Sequence, residues 1–142
     1  MRWGWILLAM LPVLAGPAMG QEANSMKIRV TVGGKVLQAT LLHNATARDF
    51  LSLLPMTVTL EDYEGTEKIT YLSRKLSAAD APAGVDPDVG DITYYAPWGN
   101  LAIFYKDFGY AKGLVKLGSF DSGIETLNVE GSLKATIEPA GK

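Results

Sequence analysis

The residues of this 142-residue chain that could do chemistry are few and scattered. It holds one histidine, His43, and no cysteine. Zero Cys removes thiolate nucleophiles and every cysteine-based metal site. A lone imidazole between a strand and a helix suits a turn better than a general base, which needs a nucleophile or an orienting acid beside it. Acids gather at Glu61, Asp62, Glu64 and Glu67. Such oxygens can hold a hard cation, but the spacing lacks the pattern of a calcium loop, and a solvated hairpin end is the expectation. Asp86 and Asp88 flank Pro87 and read as turn formers or a weak ion site. Glycine-rich phosphate loops of either standard type are absent. No metal and no cofactor is expected.

Two features point instead to binding. Arg74-Lys75 follows Tyr71-Leu72-Ser73 at the end of an expected strand and precedes a long loop, so the pair can stand at the mouth of a cleft or simply in solvent. The other feature is the aromatic series Tyr94, Tyr95, Trp98, Phe104, Tyr105, Phe108 and Tyr110. Strand alternation sets Tyr94 with Ile92 and Ala96, Tyr95 on the opposite face, and Tyr105 with Leu101 and Ile103 opposite Phe104. About half of these rings are therefore core. Trp98 falls in the turn Pro97-Trp98-Gly99-Asn100, where a large ring wants a partner or a ledge. The candidate ligand-binding residues are Arg74, Tyr95, Trp98 and Tyr105. No residue is assigned a catalytic role.

The elements that must position them are mostly strands. Lys27–Val32 alternates, Gly33-Gly34 accepts the positive φ of a tight hairpin, and Val36–Leu42 returns. Ala47, Phe50, Leu51 and Leu54 form the apolar stripe of a short helix, with Thr46 as the expected cap and Pro55 as the stop. Asn44-Ala45-Thr46 also fits the N-glycosylation sequon, and turn-and-cap is the preferred reading. Strands are expected at Met56–Tyr63, Lys68–Leu72, Ile92–Ala96, Leu101–Lys106, Gly113–Gly118 and Val129–Ile137, with one helical turn over Asp121–Leu127. Ser73–Gly90, rich in Ala, Pro, Asp and Gly, reads as a long surface loop. The sum is a mostly β domain over residues 27–138, a closed barrel or a sandwich of about eight strands.

The amino terminus has a different character. Arg2, the apolar run Ile6–Ala15 and the small residues Ala18 and Gly20 form a secretory signal pattern, with cleavage expected after Gly20. The run is well short of the roughly 20 residues that span a bilayer, and Pro12 interrupts it. Removing residues 1–20 leaves 122 residues, 12 basic and 15 acidic, a net charge of −3. A polar lead-in over 21–26 follows. The expected location is the periplasm or the exterior, without stable membrane insertion after cleavage. No nucleic-acid partner is expected for so even a charge balance, because neutralising phosphates takes a basic face.

Several segments carry a family resemblance. Asp62-Tyr63-Glu64-Gly65-Thr66-Glu67-Lys68-Ile69 and Gly90-Asp91-Ile92-Thr93-Tyr94-Tyr95-Ala96-Pro97-Trp98-Gly99-Asn100 are its core. Asp49-Phe50-Leu51-Ser52-Leu53-Leu54-Pro55 and Asn100-Leu101-Ala102-Ile103-Phe104-Tyr105-Lys106-Asp107 belong to the same pattern. Over residues 27–127 the chain resembles the bacterial cyclophilin-like fold family. The resemblance implies a closed, mostly antiparallel barrel of about eight strands with a helix capping an end. Cyclophilins isomerise X–Pro bonds with an arginine, a glutamine and aromatics in recognisable motifs. Neither the Phe-His-Arg nor the Gln-Gly-Gly segment occurs here, and Arg29, Arg48, Arg74, Gln21 and Gln38 all lie in other contexts. The leading expectation is an exported domain that binds a peptide or a small organic ligand. A divergent peptidyl-prolyl isomerase is the alternative, and an inert assembly module with a flat apolar patch is a third.

Overall fold

Sequence alternation becomes a wall with two different faces. In the computed structural model, which describes residues 26–141, strands β1 (Lys27–Val32), β2 (Lys35–Leu41), β3 (Met56–Tyr63) and β4 (Glu67–Tyr71) are followed by the two-residue β5 (Gly84–Val85). Then come β6 (Asp91–Tyr95), β7 (Asn100–Phe104), the two-residue β8 (Ala111–Lys112), β9 (Leu114–Phe120) and β10 (Leu133–Pro139). Eight of them close a barrel in the order β1-β10-β3-β4-β7-β6-β9-β2, every neighbouring pair antiparallel. The expected signal segment, residues 1–20, and all but the last residue of the lead-in lie outside the described residues. Among the described residues no helix is long and apolar enough to cross a membrane.

Gly33 and Gly34 both have positive φ, 57° and 81°, which is what turns β1 into β2 within two residues. The inward side chains make one continuous core: Ile28 and Val30, Ala39 and Leu41, Leu60, Ile92 and Tyr94, Leu101 and Ile103, Leu117, Ala135 and Ile137. Closing the sheet on itself removes these side chains from water and gives each of the eight strands a neighbour on both sides.

Helix α1 (Ala45–Leu51) lies where β2 ends and β3 begins, and it buries Ala47 and Phe50 against the barrel core. Its cap differs from the expectation. Asn44, not Thr46, supplies the capping oxygen, accepting from the Ala47 N–H at 2.8 Å, because Thr46 already lies inside the helix and is buried. The opposite end, where β3 runs into β4, is closed by a polar plug. Lys68 is fully buried there and donates to the carbonyls of Val129 at 2.6 Å and Gly131 at 2.7 Å.

The long loop over 73–90 is more ordered than its composition suggests. The Leu76 N–H donates to the Tyr94 hydroxyl at 3.0 Å, and the Ser77 N–H donates to Asp49 at 2.7 Å. Further on, β5 pairs with β8 to make a small second ribbon that no sequence pattern announced. Gly84 permits it: a Cβ there would sit 2.8 Å from the Lys112 Cα. This ribbon holds residues 105–113 against the outside of the barrel. A second, smaller apolar cluster forms beneath it, of Ala102, Phe104 and Leu114 with Ile69, Val85, Tyr95 and Ala111.

Candidate ligand-binding cleft

The pairing of β4 with β7 sets the floor of a cleft on the barrel's outer wall. Glu67 lies opposite Phe104, Ile69 opposite Ala102 and Tyr71 opposite Asn100. With a period of two, Glu67, Ile69, Phe104 and Asn100 share the outward face, while Lys68, Leu101 and Ile103 point inward. Tyr63 from β3 joins the same face beside Glu67, its cross-strand partner. The β6–β7 turn brings Trp98 alongside, edge-on to Tyr63 at 5.8 Å and to Tyr95 at 5.5 Å between ring centroids. Phe108, Tyr110 and Lys112 approach from the segment tied down by β8. Together these residues enclose a cavity of about 340 Å³, within the size range of small-molecule sites.

Two polar groups sit on this largely aromatic floor. Glu67 is only 9% exposed, and its one hydrogen-bond partner among the described residues is the neighbouring Thr66 hydroxyl at 3.5 Å. Burial pushes its carboxyl up to about 7; the Thr66 hydroxyl opposes that shift and the Glu64 charge adds to it. Asn100 is 2% exposed, and its Nδ2 donates to the Leu101 carbonyl at 2.9 Å. Its Oδ1 is buried and has no partner among the described residues. Buried acceptors are ordinarily paired, so an orphan beside a cavity is a signal.

The four residues singled out in the sequence part company here. Tyr95 and Trp98 line the cleft, and Trp98 remains 49% exposed, as its turn position leads one to expect. Arg74 does not join them. Its guanidinium makes two bonds to Asp49, at 2.8 and 3.0 Å, and a third to Ser52 at 3.2 Å, next to α1. The Arg74 bonds, followed by the Ser77 N–H, bring the Asp49 carboxyl down to about 2. Tyr105 points to the barrel's plugged end, where its hydroxyl donates to Asp62. Desolvation, followed by that carboxylate, raises the Tyr105 hydroxyl to about 12.

The acidic group also differs from a uniformly solvated hairpin end. Asp62 accepts from Tyr105 and pairs with Lys68 at 3.1 Å, and the Tyr105 bond first and the Lys68 bond next lower its carboxyl. Glu67 shares the aromatic face because it pairs with Tyr63 and Phe104 at the start of β4, one residue before the expected strand. Near Asp86 and Asp88 the deeply buried acid is Asp91, which pairs with Lys116 at 3.2 Å and accepts from the Asp88 N–H. His43 is exposed at the turn into α1.

Fold and cleft define a class: a small closed β-barrel carrying an aromatic recess on its outer wall. The sequence pattern of the Cyclophilin-like family matches residues 30–138, and the chain belongs to that family. Among solved structures it is similar to the solution structure of a hypothetical protein from Archaeoglobus fulgidus. The TM-score is 0.59 at 16% identity, over 82% of this chain and 95% of that one. At such identity the likeness concerns the fold alone. No curated protein matches the chain.

Proposed function

We propose that this is an exported cyclophilin-like domain that binds a peptide or a small organic ligand in the aromatic cleft. The observation carrying the reading is the pairing of an open cavity with a buried carboxyl lacking any ionic partner among the described residues. A wall serving packing alone gains nothing from a carboxyl there, since burying an unpaired polar group opposes folding. Rings that are half exposed around a concave floor are the usual make-up of a recognition site. Export is supported by the charge, apolar run and small residues of positions 1–20.

The test is a screen of peptides and small organic compounds by thermal shift and calorimetry on the full chain. Ligands of the cleft should lose at least tenfold in affinity with Trp98→Ala, a loss of the size seen for ring anchors. Ligands that all bind that variant as they bind the wild type would remove the site assignment. A protease-coupled proline-peptide assay tests the enzyme alternative: turnover abolished by Trp98→Ala would make the cleft catalytic. Mass measurement of the protein recovered from its native envelope checks export, with a chain starting at Gln21 as the expected result.

A further inference from the structure

The cleft's one acid narrows the chemistry of its ligand. The ion-paired acids of the neighbouring strands have cations within reach: Asp91 on β6 has Lys116, and Asp62 on the inner face of β3 has Lys68. Glu67 has none among the described residues, although it is buried. A small hydrated metal ion is a poor match, because it requires about six oxygen ligands, and the surrounding wall is chiefly rings. Ring faces favour a large cation that sheds water cheaply. A primary amine needs three acceptors at once, and besides Glu67 and the Asn100 Oδ1 the lining is chiefly rings, whereas an alkylated ammonium needs only a counter-charge and π surfaces.

We propose that the cleft binds an alkylated ammonium group, with Glu67 as its counter-ion and Tyr63, Tyr95 and Trp98 as its walls. The proposal rests on the reading of the cleft as a ligand site. The ammonium can belong to a free small molecule or to a methylated lysine in a peptide. Lys112, exposed on the rim, is the like charge that such a ligand has to pass. Ligand binding requires ionised Glu67, so affinity rises with pH. The other titratable groups facing it are Glu64 in the β3–β4 turn, Tyr63 on β3, Tyr95 on β6, Tyr105 after β7, and Tyr110 and Lys112 around β8.

The experiment is calorimetry on the full chain with choline and its neutral isostere 3,3-dimethylbutan-1-ol. Two further arms use a short peptide carrying trimethyllysine and its norleucine counterpart. Each cation should bind at least about tenfold more tightly than its neutral partner at pH 8, and lose about tenfold by pH 5. Glu67→Gln should abolish both the preference and the pH dependence, which assigns them to Glu67 and not to its neighbours. The pH series on the wild type stands even if that variant folds poorly. Lys112→Met should tighten cation binding. Tighter binding of the methylated peptide than of choline places the ammonium on a peptide, and the reverse places it on a free molecule.

Equal affinity for cation and isostere, or a preference that survives Glu67→Gln, overturns the ammonium proposal and leaves the cleft as a site for neutral ligands. Failure of all four probes overturns it too. The unbiased screen above then decides separately whether the cleft binds anything.

Discussion

The two faces of the β3–β4 hairpin treat charge in opposite ways. On the inner face Lys68 and Asp62 are cross-strand partners, and the pair is completed by the Tyr105 hydroxyl and the carbonyls of Val129 and Gly131. The Lys68 ammonium also lies 5.5 Å from the Tyr105 ring centroid. On the outer face, one residue along, Tyr63 and Glu67 are cross-strand partners, and Glu67 has only a long bond to Thr66. Both faces bury charge-bearing groups, but among the described residues only the inner face pairs them with an opposite charge. A satisfied network closes a barrel end; an unanswered carboxyl under rings is a vacancy in the bonding scheme that another molecule can fill.

Lys68→Met is the sharpest way to break the contrast. It takes the ammonium from Asp62, which keeps the Tyr105 hydroxyl, and leaves two carbonyls without their donor, so urea unfolding should show a loss of about 3–5 kcal/mol. Glu67→Gln should act with the opposite sign. The folded-state pKa of Glu67, about 7, lies above its ordinary 4.5. The stability attached to its proton is therefore complete below the unfolded pKa and lost as pH rises through 7. Removing the charge should raise stability at pH 8 by about 1–2 kcal/mol, the nominal shift being discounted for solvent at the cleft mouth, and should change little at pH 4. Unfolding curves of both proteins at the two pH values check this.

Tyr105→Phe should cost about 1.5 kcal/mol, the low end for a hydrogen bond to a charged acceptor because Asp62 is partly exposed, and leave ligand affinity at the cleft untouched. Arg74→Ala should have the smallest effect on binding, within about twofold by calorimetry, since surface charges away from a site act weakly through solvent. A large loss of affinity in that variant would place Arg74 in the site and redraw the comparison.

Much of the barrel was legible because period-two alternation and turn glycines are local signals. The β1–β2 hairpin, the inward set Leu101 and Ile103, and the opposed faces of Tyr94 and Tyr95 all follow from it. Two cleft residues, Tyr95 and Trp98, could be picked by the same logic. Glu67 could not, since its role depends on a strand starting one residue early, which moves an acid from a turn onto a face shared with Ile69. The alternation Glu67-Ile69-Tyr71 was the available hint. Arg74 looked free in sequence because Asp49 is 25 residues away along the chain. The β5–β8 ribbon rests on two residues from each side, too short for any period to register.

Barrel closure also determines how a peptide can be read. Many sheet proteins capture extended peptides by letting them extend the sheet, so that main-chain groups zip together regardless of side chains. Here β1 already joins β10 and β2, and the remaining seven strands of the barrel are likewise flanked on both sides. Along β1, and between β4 and β7 under the cleft, the ladders run the full length of the strands and offer no free row of main-chain donors. A guest in the proposed cleft would therefore be recognised by what protrudes from that wall, as a reader of side chains would do it.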